Sequence, residues 1–152
     1  MGYTHYWYFA QGTDQGLYNE ALDDVREIVK ASTDSYNLCN GLGERNTEPE
    51  LLPAPGVAFN GCEEESHETF YLSCEPNGRE FEYNPGWLFN FCKTASKEYD
   101  TVVVACLCTL KDVLGDSVRV SSDGDVDDWR PGLALAKTIL GRDIQMPLED
   151  EE

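Results

Sequence analysis

Alternation is the first signal in this chain. From Tyr3 to Phe9 nearly every residue is aromatic or β-branched, with Tyr3, His5, Trp7 and Phe9 on one face and Thr4, Tyr6 and Tyr8 on the other. A period of two in such residues predicts a strand, one in the middle of a sheet. Beyond the turn-prone Gly12-Thr13-Asp14 the period lengthens. Leu17, Tyr18, Ala21, Leu22, Val25, Ile28 and Val29 recur at helical spacing, and Asn19, Glu20, Asp23, Asp24, Arg26 and Glu27 supply a wet face. A helix follows, with Asp14 as its cap.

Residues 32–55 are rich in Asn, Gly, Glu and Pro without periodicity and read as a long loop. Val57–Asn60 and Glu68–Ser73 read as short strands, and Pro76-Asn77-Gly78 as a turn into the alternating Glu80-Phe81-Glu82-Tyr83, so an antiparallel meander is expected. Leu88–Cys92 is too short an apolar stretch for its pattern to decide between strand and helix. Asp100 stands where it would cap a helix through Val102, Val103, Ala105, Cys106, Leu107, Leu110, Val113 and Leu114, ending at Gly115, and its apolar character nearly all round implies burial. Val118–Ser121 then reads as a strand and Pro131–Leu140 as a last helix before Gly141. The order β-α-β-β-β-α-β-α predicts one α+β domain over residues 1–146, a mixed, largely antiparallel sheet packed by about three helices. Residues 147–152 read as an acidic, disordered tail.

Composition narrows the partners. The sequence has 29 Asp and Glu against 11 Lys and Arg, a formal net charge of −18. Such a field repels nucleic acid and anionic lipid, so neither direct nucleic-acid binding nor membrane binding is expected. High solubility, a high-salt cytoplasm or the tail would account for the acidity. The sharper alternative is a surface imitating the phosphates of DNA, with Asp23, Asp24, Glu27, Asp112, Asp116, Asp125, Asp127 and Asp128 set against a basic host protein. The longest apolar run, Thr101–Leu110, is about half what a membrane helix needs, and no basic-then-apolar leader is visible. Tyr6 stands where a myristoylation signal wants Ser or Thr, and a cytoplasmic protein is expected. With no export signal, the six cysteines are expected as reduced thiols, Cys106 and Cys108 as small core residues. Cys62, His67 and Cys74 match no zinc spacing, so no metal or cofactor is expected.

Several separated pieces of the chain occur together in a recognisable order: Gly2-Tyr3-Thr4-His5-Tyr6-Trp7, Phe59-Asn60-Gly61, His67-Glu68-Thr69-Phe70, Phe91-Cys92-Lys93-Thr94-Ala95, Lys97, Tyr99-Asp100, and Ser121-Ser122-Asp123-Gly124 with Trp129. In these the chain resembles a family of small uncharacterised proteins encoded by phages, prophages and bacteria. The resemblance spans most of the chain, implies a mobile-element origin and transfers no catalytic residue.

The same pieces supply the candidate chemistry. His5, Asn60, His67, Glu68, Lys93, Thr94 and Lys97 form a polar set from five segments, in which two ammonium groups and a hydroxyl could surround a phosphate. Tyr6 and Trp7, or Trp87, would stack on a ring. The plainer alternative is that Lys93 and Lys97 pair with surface carboxylates and the histidines are satisfied within a sheet. A hydrolytic version would use His67 or His5 as general base, Glu68 to orient it and Lys93 to stabilise negative charge on a phosphodiester. Asp123-Gly124-Asp125-Val126-Asp127-Asp128 begins like a calcium loop, but Asp128 stands where Gly is needed and Ala134 where a bidentate Glu is, so a turn into an acidic helix start is favoured. The expectation is a non-enzymatic, mobile-element-encoded protein, acting against host defence by sequestering an anionic nucleotide-like ligand. The alternatives are the DNA-mimicking inhibitor and the small hydrolase.

Overall fold

The computed structural model describes residues 3–148. Strand β1 (Thr4–Ala10) forms as its alternation predicts, and the next element, α1 (Gln15–Ser32), is capped by the Asp14 carboxylate accepting from the Leu17 amide at 2.9 Å. Three helices and seven strands make an α+β domain in which every strand pairing among the described residues is antiparallel. The strands divide into two sheets. One is the small sheet β2 (Leu38–Cys39), β3 (Gly56–Gly61) and β4 (Phe70–Ser73), and the other has β1 at its centre.

In the larger sheet β1 lies between β6 (Trp87–Lys93) and β7 (Val118–Ser122), with the two-residue β5 (Arg79–Glu80) outside β6. Leu88–Cys92, undecided by pattern, is thus a strand, because pairing with β1 supplies the ladder that its length could not reveal. Of the expected third meander strand, Glu80-Phe81-Glu82-Tyr83, only Glu80 pairs, together with Arg79 before it and with β6 as partner; Phe81 and Tyr83 leave the ladder and stack on each other with ring centres 5.2 Å apart.

Helices α2 (Asp100–Leu114) and α3 (Val126–Leu140) complete the fold. Residues 102–110 of α2 are all buried because it packs against both α1 and α3, which explains its apolar character all round. At the α2–α3 crossing a β-carbon on Gly132 would strike the Val104 side chain and approach the Thr101 carbonyl, so a residue without one lets the helices meet. The last helix begins five residues before the expected Pro131. Asp125 accepts from the Asp128 amide at 3.0 Å while the Asp128 carboxylate accepts from the Asp125 amide at 2.9 Å, a reciprocal cap that starts the helix ahead of the proline.

The helices cover the face of the large sheet that carries His5, Trp7 and Phe9. Phe9 meets Tyr18 of α1 edge-on, His5 meets Trp129 of α3 in the same way, and Trp7 packs on Phe70 of the small sheet at 5.2 Å between ring centres. All of these but His5 belong to one apolar core. Leu148 also packs against it, so the folded body reaches into the stretch expected as tail; Glu149–Glu152 lie outside the described residues.

One expectation about cysteine is corrected. Cys39 and Cys62 form a disulfide, their Cα atoms 5.3 Å apart. The β2–β3 register sets Cys39 opposite Asn60, which brings Cys62 alongside although 23 positions separate the cysteines. Cys74, Cys92, Cys106 and Cys108 are free thiols, and burial pushes the last three well above the ordinary thiol range, Cys108 to about 12. No helix among the described residues is long and apolar enough to cross a membrane.

Candidate functional site

In antiparallel pairing, directly opposed residues point to the same face. The register sets Tyr6 opposite Phe91 and Ser121, Tyr8 opposite Phe89 and Arg119, Ala10 opposite Trp87, and Arg79 opposite Phe89. This is the sheet face that the helices leave open. Its rings form a continuous patch: Phe89 lies 6.1 Å from Tyr6, 5.1 Å from Tyr8, 5.7 Å from Phe91 and 5.6 Å from Phe81 between centres. Phe91 is 48 % exposed and Tyr83 beside the patch 82 %. Two guanidinium groups cover its rim, Arg119 at 3.8 Å over Trp87 and Arg79 at 4.8 Å over Phe81.

Charge on this face differs from that of the rest of the chain. None of the outward strand positions of the large sheet is Asp or Glu, whereas Arg79, Lys93 and Arg119 are all there. Among the described residues, Arg26, Arg45, Arg130, Lys137 and Arg142 are ion-paired, while none of these three cations has a carboxylate within 4 Å. Two carboxylates lie at the end of the face: Asp123 accepts from the Tyr6 hydroxyl at 3.3 Å, and Glu68 from the Lys93 amide.

The residues expected to form one polar site separate into layers. Tyr6 and Lys93 reach the open face, and Lys97 sits partly exposed on the following turn with no carboxylate within 4 Å among the described residues, as for Lys93. Trp7 is on the opposite, covered face, because a residue adjacent to Tyr6 in a strand must point away from it. Asn60 is buried and spent: it donates to the Gly41 and His67 carbonyls and accepts from the Gly61 and His67 amides. His67 is exposed, and Glu68 accepts from the Lys93 amide at 2.9 Å, tying the approach to β4 onto the end of β6. The pairing of Glu68 with a histidine base is therefore not formed.

His5 has other partners. Fully buried, it places Nε2 2.6 Å from Asp100 Oδ1 and Nδ1 2.7 Å from Ser122 Oγ. Thr94, also buried, donates to the same Asp100 oxygen at 2.5 Å. Asp100 is thus the first residue of α2 and a partner of His5, while Tyr99 takes the position before the helix; the expected capping role is corrected. Tyr3 closes the cluster, its ring edge-on to His5 and its hydroxyl against Gly124, where a β-carbon would collide with it. Burial, then the nearby carboxylates of Asp100 and Asp128, push the Tyr3 phenol up to about 12. Sequence reasoning missed Tyr3, Asp100 and Ser122 as partners of His5, although Asp100 and Ser122 stood in segments singled out for other reasons.

The acidic residues considered as a phosphate imitation are partly neutralised. Arg142 bridges Asp24 of α1 and Asp112 of α2, Arg26 holds Asp23, and Arg130 holds Asp127. Asp125 and Asp128 are engaged in starting α3, which also accounts for the stretch that resembled a calcium loop. No group of three or more His, Cys, Asp or Glu able to hold a metal occurs among the described residues.

Comparison with known proteins adds no neighbour: no family model, no curated protein and no solved structure matches the chain.

Proposed function

We propose that the open face of the larger sheet is a binding surface, not a catalytic one, that holds a planar, anionic, nucleotide-like molecule. The supporting observation is the joint placement of rings and unpaired cations there: Tyr6, Tyr8, Phe89 and Phe91 in contact, bordered by Arg79, Lys93 and Arg119, in a chain whose net charge is −18. A base stacked on an aromatic side chain gains roughly 1–3 kcal/mol, and a guanidinium supplies a bidentate partner for phosphate. A long nucleic acid would meet the repulsion of the whole protein. A mononucleotide or dinucleotide spans about one screening length and meets mainly the local cations. The resemblance to phage- and prophage-encoded proteins supports sequestration, against host defence, as the purpose of such binding.

Calorimetric titration with nucleoside monophosphates and dinucleotides tests the assignment. Binding by the native chain is expected, weakened about tenfold or more in Arg79→Ala with Arg119→Ala, and weakened as salt rises. No binding across the series, or equal affinity in the double variant, would overturn it. Native mass spectrometry of protein taken from its expressing cells gives the complementary readout, because a sequestered ligand is released intact on denaturation.

A further inference from the structure

Beyond binding on the open face, we propose that Ser122 is an activated nucleophile, with His5 as its base and Asp100 as the positioning carboxylate, serving acyl transfer from an ester in the cleft beside β7. The hydrogen-bond chain carries the assignment. In the neutral ring that the base role requires, Nε2 carries the proton toward Asp100 Oδ1, 2.6 Å away, and the lone pair of Nδ1 is left for a donor. Ser122 Oγ, 2.7 Å from Nδ1, is that donor. Its hydroxyl therefore points at the base, and the Gly124 amide, donating to Oγ at 2.9 Å, further fixes the oxygen. Thr94 holds Asp100 from the other side at 2.5 Å, and His5 itself is walled by Tyr3 and Trp129. Nucleophile, base and orienting acid thus lie in the order that acyl-transfer sites require, assembled here from β7, β1 and α2.

Access is on the Ser122 side. His5 is fully buried and Asp100 and Ser122 are each partly buried, but Ser122 alone of the three lines an open cleft of about 880 Å³ between the outer edge of β7, the start of α3 and Leu148. In the reaction Ser122 Oγ bonds to the ester carbonyl carbon as its proton passes to His5 Nδ1. The bond to the alcohol oxygen breaks, and the alcohol leaves with that proton. Water then attacks the acyl-serine, gives a proton to His5, and releases the acid as Ser122 regains its hydrogen.

The cleft wall selects the substrate class. Asp123, Asp125 and Asp127 line it against Lys111 and Arg119, with Lys111 held by the Gly115 and Val118 carbonyls and Asp127 paired to Arg130 outside the lining, so the lining side chains carry an excess of one negative charge. A small acidic excess suits an ester with a neutral or cationic body better than an anionic phosphodiester. This departs from the phosphodiester chemistry considered for His5 and His67.

An uncharged fluorophosphonate, which phosphonylates an activated serine with loss of fluoride far faster than an ordinary hydroxyl, reads the nucleophile directly in the intact chain. One adduct per chain, mapped to Ser122, absent in Ser122→Ala and formed about a hundredfold more slowly in folded Asp100→Asn, is expected. An unchanged mass after prolonged excess probe, or an adduct that persists in Ser122→Ala, overturns the nucleophile. Nitrophenyl esters then test the substrate class: a lysyl ester should turn over at least about tenfold faster than a succinyl ester, and the reverse order overturns the role given to the acidic wall.

Discussion

Along β1, inward His5, Trp7 and Phe9 alternate one for one with outward Tyr6 and Tyr8, and both faces of the sheet are rich in rings. Their surroundings differ completely. The inward rings meet Tyr18, Phe70 and Trp129 from other elements and are fully covered, while the outward rings meet mainly one another and remain open, with arginines at the rim. A ring that contacts only its own sheet contributes little to holding the fold, since it removes little additional surface from water. Aromatic character is thus used for cohesion on one face and is free for recognition on the other.

Truncation on the two faces should separate these uses most strongly. Trp7→Ala is expected to cost about 3–5 kcal/mol in urea unfolding, and Phe91→Ala less than about 1 kcal/mol. Equal losses would mean that the outward face is structural after all. Next in size is the disulfide, which ties the small sheet without touching the open face. Reduction, or Cys39→Ala with Cys62→Ala, should lower stability by about 2–4 kcal/mol while nucleotide affinity on the large sheet persists. Loss of both together would show that the two sheets do not act independently.

A smaller effect belongs to the rim. Arg79→Ala with Arg119→Ala should leave the unfolding free energy within about 0.5 kcal/mol for each substitution, since neither cation has a carboxylate partner among the described residues. Its consequence should appear in ligand affinity alone; a large stability loss would instead make these arginines part of the packing. Alkaline pH gives the most graded distinction. Burial raises the phenols of Tyr18 and Tyr99 far above their ordinary value of 10.0, and Tyr3 to about 12. Below pH 10 these groups are neutral folded and unfolded alike. As pH rises beyond that, the unfolded chain loses its protons first, so stability should fall, with the Tyr3 share of the loss complete above about pH 12. A urea midpoint flat across that range, or one unaltered by Tyr3→Phe, would contradict the burial of these rings as the source.

Much of this architecture was legible along the chain. Asp14 announced the start of α1, Gly115 the end of α2, and the period of two in Tyr3–Phe9 a central strand, because caps and short repeats are set by neighbours a few residues away. The candidate site was legible only as a set of residue types. His5 was marked as chemically active, yet its partners Asp100 and Ser122 lie 95 and 117 positions away, and no local spacing relates them. Trp7 was grouped with Tyr6 as a stacking wall, although the strand's own alternation places them on opposite faces. Cys39 and Cys62 were expected as thiols from the missing export signal, a compartment argument that carries no information about which chains the β2–β3 register brings together.

The sequence by itself determined α1, α2, the strands of 4–10, 57–60, 70–73 and 118–121, the α+β class and the acidity, since each follows from composition or from a repeat shorter than a few turns. Tertiary structure alone decided which aromatic face is covered, which cations lack a carboxylate partner and which hydroxyl faces His5. Those outcomes depend on the packing of helices over one side of a sheet whose two sides are nearly equal in ring content, and a one-dimensional pattern cannot distinguish the side that other elements will cover.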